Sequence, residues 1–224
     1  ARATGQGLGP GPLARRIALV APTFDEARMV MIEGVSGLLA IHDDSWRPVF
    51  EPSKRQLTWP NGSMAQVFTA EEPDGLRGPQ FHAAWCDELA KWKQAENAWN
   101  MLQFALRLGE NPKALITTTP RPTPLLKRLI ADEGTVTSRS TTFDNSENLA
   151  QSFLDEVTKR YGGTKLGRQE LSGELIEDDP DAIFKRDIIE NLRPSSLDHL
   201  GLAQSLEQLC EAAASAMELE VDCK

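Results

Sequence analysis

At 224 residues, 40% hydrophobic, 25% charged and 6% aromatic, the chain has the makeup of a folded α/β domain, not of a disordered, collagenous or disulfide-stapled one. No apolar run approaches the ~18 residues that would span a bilayer, and no basic-then-apolar start marks a secretory signal. Cys86, Cys210 and Cys223 lack metal-like spacing, so the chain reads as cytoplasmic, with reduced thiols and no zinc site.

The net charge of −9 is uneven: residues 1–120 carry 12 basic and 13 acidic side chains, residues 121–224 carry 12 and 20. A passive duplex-binding domain usually has the opposite sign, because neutralising phosphates supplies most non-specific affinity. Any contact with DNA must therefore be local or shared between subunits.

Residues 1–12 are rich in glycine and proline without apolar periodicity and read as a flexible start. Arg16 to Ala21 is a short apolar run stopped by Pro22, as in a buried parallel strand. Thr23 with Glu26 three residues on predicts a capped helix that continues to about Ile41. Gln56 to Trp59 and Ser63 to Thr69 flank Pro60-Asn61-Gly62, the strongest short-range signal for a hairpin.

Phe81 to Cys86 is a second buried-strand pattern, with Asp87-Glu88 at its end. A helix over 92–108, a strand over 113–118, a helix over 124–130 and a strand over Thr135 to Phe143 follow. Two more helices span Leu149 to about Leu175, separated by Tyr161-Gly162-Gly163. Strands alternating with helices imply a largely parallel sheet covered on both faces, with chemistry at the C-terminal ends of the strands. The acidic break Glu177 to Asp181 divides a core of residues 13–176 from an acidic linker and helical tail over 177–224.

Asp87-Glu88, straight after an apolar strand, is what nucleotide hydrolysis requires: one carboxylate for magnesium, often through water, and a neighbour to orient or deprotonate the attacking water. An acidic helix start would have the same appearance. Thr117, Thr118 and Thr119 end the next strand, where hydroxyls would lie beside the carboxylates and could sense a phosphate. Arg77, in the Gly/Pro-rich loop before the acidic pair, could stabilise charge on a transferring phosphoryl group from its own subunit or a neighbour's. His82 reads as structural, Trp92 and Trp99 as core residues sharing a helix face, and Lys54-Arg55 and Lys127-Arg128 as solvated pairs within reach of DNA phosphates.

Five segments taken together, Val20 to Thr23, Leu76-Arg77-Gly78, His82 to Ala90, Thr117 to Pro120 and Tyr161 to Glu170, resemble the ATPase half of a large terminase subunit, the DNA-packaging motor of tailed phages and phage-like gene transfer agents. The likeness runs from about residue 13 to 193. It implies a P-loop NTPase-like (ASCE/RecA-like) sheet, ATP and Mg2+ as cofactors, and double-stranded DNA, portal protein, small terminase subunit and a homo-oligomeric ring as partners. By this resemblance Asp87 corresponds to the Walker B aspartate, associated with magnesium through water, and Glu88 to the catalytic glutamate. Thr117, Thr118 and Thr119 match the coupling motif, and Arg77 lies where related motors place a trans-acting arginine finger.

The 224 residues contain no Gly-x-x-x-x-Gly-Lys followed by Ser or Thr, and the first strand that would carry that loop is also lacking. After Arg193 the likeness fades and no nuclease carboxylates can be assigned. The chain thus reads as a fragment, expected to be inactive alone. Two alternatives are a non-catalytic remnant or interaction module, and a helicase-like DNA translocase.

Overall fold

The first apolar run forms β1, Arg16–Ala21, and lies in the interior of a six-stranded sheet. The computed structural model describes residues 14–176, all but the last within one compact unit ending at Leu175. The expected flexible start and the expected acidic linker with its helical tail lie outside the described residues.

The other strands are β2 (Val49–Glu51), β3 (Gln56–Thr58), β4 (Met64–Thr69), β5 (Ala83–Asp87) and β6 (Lys113–Thr117), in the spatial order β2-β3-β4-β1-β5-β6. β4, β1, β5 and β6 run parallel, whereas β3 is antiparallel to β4 and β2 to β3. The expected hairpin is present. Trp59 accepts from the Gly62 amide at 2.9 Å, and Gly62 takes φ +79°, a conformation that glycine adopts without a Cβ clash.

Alternation along β1 sends side chains to two separate cores. Ile17, Leu19 and Ala21 join Leu57, Trp59, Ala65 and Val67 on one face, and Ala18 and Val20 join Ala84 and Cys86 on the other. The first face is covered by the segment after β1. There α1 (Phe24–Glu26) continues as wider, π-type turns over Ala27–Ile32, burying Ala27, Met31 and Ile32. The opposite face is covered by α2 (Ala95–Ala105) through Ala98 and Leu102, and by α3 (Pro124–Ala131) through Leu125 and Leu129. Helices therefore lie on both faces. α4 (Gln151–Tyr161) and α5 (Lys165–Glu170) follow on either side of Gly162-Gly163, as the spacing predicts.

Three expectations are corrected. The helix after Thr23 does not reach Ile41. The chain reverses at Gly34 and Gly37, and Leu38 and Leu39 fold back to donate to Met31 and Ile32 at 2.8 and 3.0 Å. Any Cβ at Gly34 would stand 2.7 Å from the Val30 carbonyl oxygen, so the reversal requires glycine. The helix over 92–108 is shorter, Ala95–Ala105, so Trp92 precedes it and shares no helix face with Trp99, although both pack in the same core.

Thr135 to Phe143 forms no strand. A groove of about 1250 Å³ is lined both by β6, the edge strand of the sheet, and by Gly134 to Ser140, and the segment is not paired with that edge. Instead of a ladder the segment makes local bonds and one distant one: the Thr135 amide donates to the Asp132 carbonyl, that of Thr141 to Asp144 Oδ2 and that of Thr142 to the Leu171 carbonyl. β2, between Pro48 and Pro52, was not expected; three residues are too few for a period-2 signal.

Candidate functional site at the ends of the parallel strands

Parallel register brings the ends of β1, β4, β5 and β6 to one edge of the sheet: Ala21 lies opposite Thr69, Val20 opposite Cys86, and Asp87 opposite Thr117. At the end of β1 the chain leaves through buried Pro22 into the capped turn. The Glu26 amide donates to Thr23 Oγ1 at 3.1 Å, and the hydroxyl donates to Glu26 Oε2 at 3.2 Å.

Asp87 and Thr117 meet directly. Thr117 Oγ1 donates to Asp87 Oδ1 at 2.6 Å and itself accepts from the Trp85 indole N–H at 3.1 Å. The Trp92 indole donates to the Asp87 main-chain carbonyl at 3.0 Å, pinning the end of β5. Glu88 leaves the strand in the left-handed region, φ 49° and ψ 45°. That conformation costs an L-residue roughly 1–2 kcal/mol. It also takes the Glu88 side chain out of strand alternation, so the two neighbouring carboxylates have different surroundings. Glu88 Oε2 accepts a long bond, 3.5 Å, from the Thr119 amide and lies 3.9 Å from Lys91 Nζ.

Thr118 ties the two strand ends together. Its Oγ1 accepts from the Ala90 amide at 3.1 Å, in the tight turn Leu89–Lys91, and donates to the Thr119 carbonyl at 3.0 Å. The Thr117, Thr118 and Thr119 segment thus contacts both the acidic pair and the turn that follows it.

Arg77 is not drawn into this cluster. It follows the turn Pro73–Leu76, its side chain is 72% exposed, and it pairs with Asp74 at 3.3 Å. His82 sits at the other end of β5, where its Nδ1 accepts from the Arg16 amide at 3.2 Å, a structural bond. Lys54 pairs with Glu51 at 2.6 Å and Arg128 makes a two-pronged contact with Glu96 at 3.0 and 2.7 Å. Arg55 lies 4.8 Å over the Phe24 ring.

Sequence reasoning did not assign Trp85, Lys91 or the Ala90 amide to this cluster. Strand alternation could have found Trp85, which shares a face of β5 with Asp87. Burial, reinforced by neighbouring Asp87, pushes the Cys86 thiol well above its ordinary range, so the cysteine beside the acidic pair is no nucleophile.

Among the described residues no group of three or more His, Cys, Asp or Glu side chains could form a metal cage. One or two carboxylates completed by water and phosphate oxygens is, however, the usual donor set for magnesium, and the Asp87 carboxylate is of the kind that set requires. Among the described residues no helix is long and apolar enough to cross a membrane.

A family model described as terminase large subunit, T4likevirus-type, N-terminal, matches residues 2–191. No curated protein matches the chain. Among solved structures, the large terminase of a thermophilic bacteriophage aligns with TM-score 0.58 and 16% identity, covering 77% of this chain and 44% of that one. The same terminase in complex with ATP-γ-S aligns with TM-score 0.57 and 14% identity, over 77% and 43%; its ADP complex gives 0.57 and 15%, over 72% and 40%. At such identities the likeness shows the fold, and it is the expected P-loop, ASCE-type architecture. The chain spans less than half the length of these solved relatives.

Proposed function

The chain belongs to the T4likevirus-type family of terminase large-subunit N-terminal regions, and from that premise we propose that it is part of an ATP-driven motor that moves double-stranded DNA into a phage or gene-transfer-agent capsid. Residues 13–176 form the motor portion in this reading, working in the host cytoplasm within a ring of subunits on a portal protein, with a small terminase subunit as partner. The observation that carries it is the acidic pair at the end of a parallel strand, with Thr117 bonded at 2.6 Å to Asp87 from the adjacent strand end. Nucleotide complexes of the thermophilic phage's large terminase support ATP as the cofactor.

Asp87, with Oδ1 engaged by Thr117, offers Oδ2 to a magnesium ion through water. The ion, when bound, offsets the negative charge that develops on the phosphates. Glu88, held off the strand by its left-handed backbone, orients the attacking water and takes its proton. Thr117, Thr118 and Thr119 respond to the γ-phosphate. Through its bond to the Ala90 amide, Thr118 passes any shift of the β6 end to the turn Leu89–Lys91, beneath which Trp92 is buried. Arg77, exposed and paired among the described residues with exposed Asp74, is placed to reach a neighbouring subunit's nucleotide. No Gly-x-x-x-x-Gly-Lys followed by Ser or Thr occurs among the 224 residues.

The test is Glu88→Gln in the intact large subunit. Nucleotide binding should persist while turnover is lost, because the amide keeps the shape and removes the base. Undiminished turnover would remove the assignment.

A further inference from the structure

We propose that Trp85 is a positioning residue for the Asp87 carboxylate, acting through Thr117; this rests on the reading of Asp87 as a magnesium-associated group. Three polar atoms surround the Thr117 hydroxyl oxygen: the Trp85 indole nitrogen at 3.1 Å, Asp87 Oδ1 at 2.6 Å and the Cys86 carbonyl oxygen at 3.4 Å. A hydroxyl has one proton and two lone pairs, and an indole N–H can only donate. The Trp85 contact therefore occupies a lone pair and forbids the proton that direction. Of the two remaining acceptors, the carboxylate oxygen is nearer and charged, and a short O–H···O⁻ bond is the stronger. The proton goes to Asp87 Oδ1.

The register of the sheet makes this relay rigid. Trp85 and Asp87 are two residues apart on β5 and so share a face, and Thr117 is the cross-strand neighbour of Asp87 on β6. The Trp85 ring packs against the core beneath that face, so the donor is fixed from below. Meanwhile the Trp92 indole holds the Asp87 main chain from its carbonyl. One carboxylate oxygen is thus engaged by a polarised hydroxyl, and the other is presented in a single orientation. Removing the indole leaves the hydroxyl free to turn its proton to the Cys86 carbonyl or to solvent, and the carboxylate then loses its fixed rotamer.

The experiment uses the 224-residue chain with 15N-labelled tryptophan, whose indole N–H resonances report each ring separately, and Mn2+ as the metal probe. Trp92, bonded to the Asp87 carbonyl, serves as reporter through its paramagnetic broadening, and Trp59, bonded to His42 in the other core, serves as the remote control. In the parent chain Mn2+ should broaden Trp92 before Trp59. Trp85→Phe and Thr117→Val should each weaken that titration about five-fold, the equilibrium worth of one ordinary hydrogen bond, and the double variant should be no weaker than either alone. Thr117→Ser, which keeps the oxygen, should restore it. Without any metal, Thr117→Val and Asp87→Asn should both move the Trp85 indole resonance and leave that of Trp59 in place.

If Asp87→Asn leaves the Mn2+ titration unchanged, or the parent shows no selective broadening, the metal-associated reading of Asp87 fails, and the relay with it. If Asp87→Asn abolishes the broadening while Trp85→Phe titrates like the parent, the relay alone is overturned.

Discussion

Thr118→Val removes the hydroxyl that ties the end of β6 to the turn after β5. Valine keeps the volume and the β-branch of threonine, so no cavity opens and χ1 freedom is unchanged. What disappears is the acceptor for the Ala90 amide, which lies 3.1 Å from Thr118 Oγ1 in a residue only 8% exposed, together with the hydroxyl's own donation to the Thr119 carbonyl at 3.0 Å. A buried amide left without a partner costs about 1–3 kcal/mol. With a urea m-value of about 2 kcal/mol/M, reasonable for a domain of this size, the midpoint should fall by about 0.5–1.5 M at unchanged m. Urea titrations followed in parallel by far-ultraviolet circular dichroism and tryptophan fluorescence would measure it, coincident curves establishing two-state behaviour. Thr118→Ser, retaining the oxygen, should recover most of the loss. A Thr118→Val midpoint within ~0.2 M of the parent would show that the amide finds water instead, and the coupling of β6 to the Glu88 turn would lose its physical basis.

Other consequences can be checked on the same chain. Glu88→Gly should raise the urea midpoint, since glycine removes a left-handed penalty of about 1 kcal/mol while the loose 3.9 Å Lys91 pairing and the long 3.5 Å Thr119 amide contact it forfeits contribute little; a lower midpoint would contradict strain at φ 49°. His42→Ala removes the acceptor for the Trp59 indole, 3.2 Å away in a residue 3% exposed, and should destabilise by about 1–3 kcal/mol; an unchanged thermal midpoint would refute that.

Cys86 supplies a pH test. Its native thiol value lies above the unfolded one, so the native state holds the proton longer. That stabilisation is complete below the unfolded thiol's ordinary ~8.5 and is lost as the pH rises beyond it, by up to ~1.4 kcal/mol per unit. The stability of the parent should therefore fall more steeply between about pH 8.5 and 10 than that of Cys86→Ala, and parallel slopes would exclude the effect. In the folded chain at pH 8, Cys86 should also resist thiol reagents that label it readily in urea, as site-resolved mass spectrometry would record.

Much of this architecture is written locally. The apolar run ended by Pro22, the Asn61-Gly62 turn, the capping pair Thr23 and Glu26 and the paired glycines at 162 and 163 each specify an element from within a few residues. The observed elements follow them because the relevant forces, φ preference, capping and side-chain period, act over that same range. The five-segment likeness likewise needed only the order of residues along the chain, and the family match extends over the same region.

Other features depended on neighbours distant in sequence. The segment after Thr135 has the composition of a strand but lacks a ladder partner, and pairing is not a local property. The helix after Thr23 stops where glycines let the chain double back onto its own buried face. The site shows the same division. That Asp87 and Glu88 end a strand was legible in the sequence. That Thr117 is bonded to Asp87, that Thr118 holds the Ala90 amide, and that the Trp85 indole sets the direction of the Thr117 proton follow from the register of β5 against β6. Sequence by itself pointed to the candidate residues and to the elements that bear them, because both are written in residue type and spacing. Only the folded sheet decided which of those residues touch, because register between strands 30 positions apart is set by packing of the whole core and not by either strand alone.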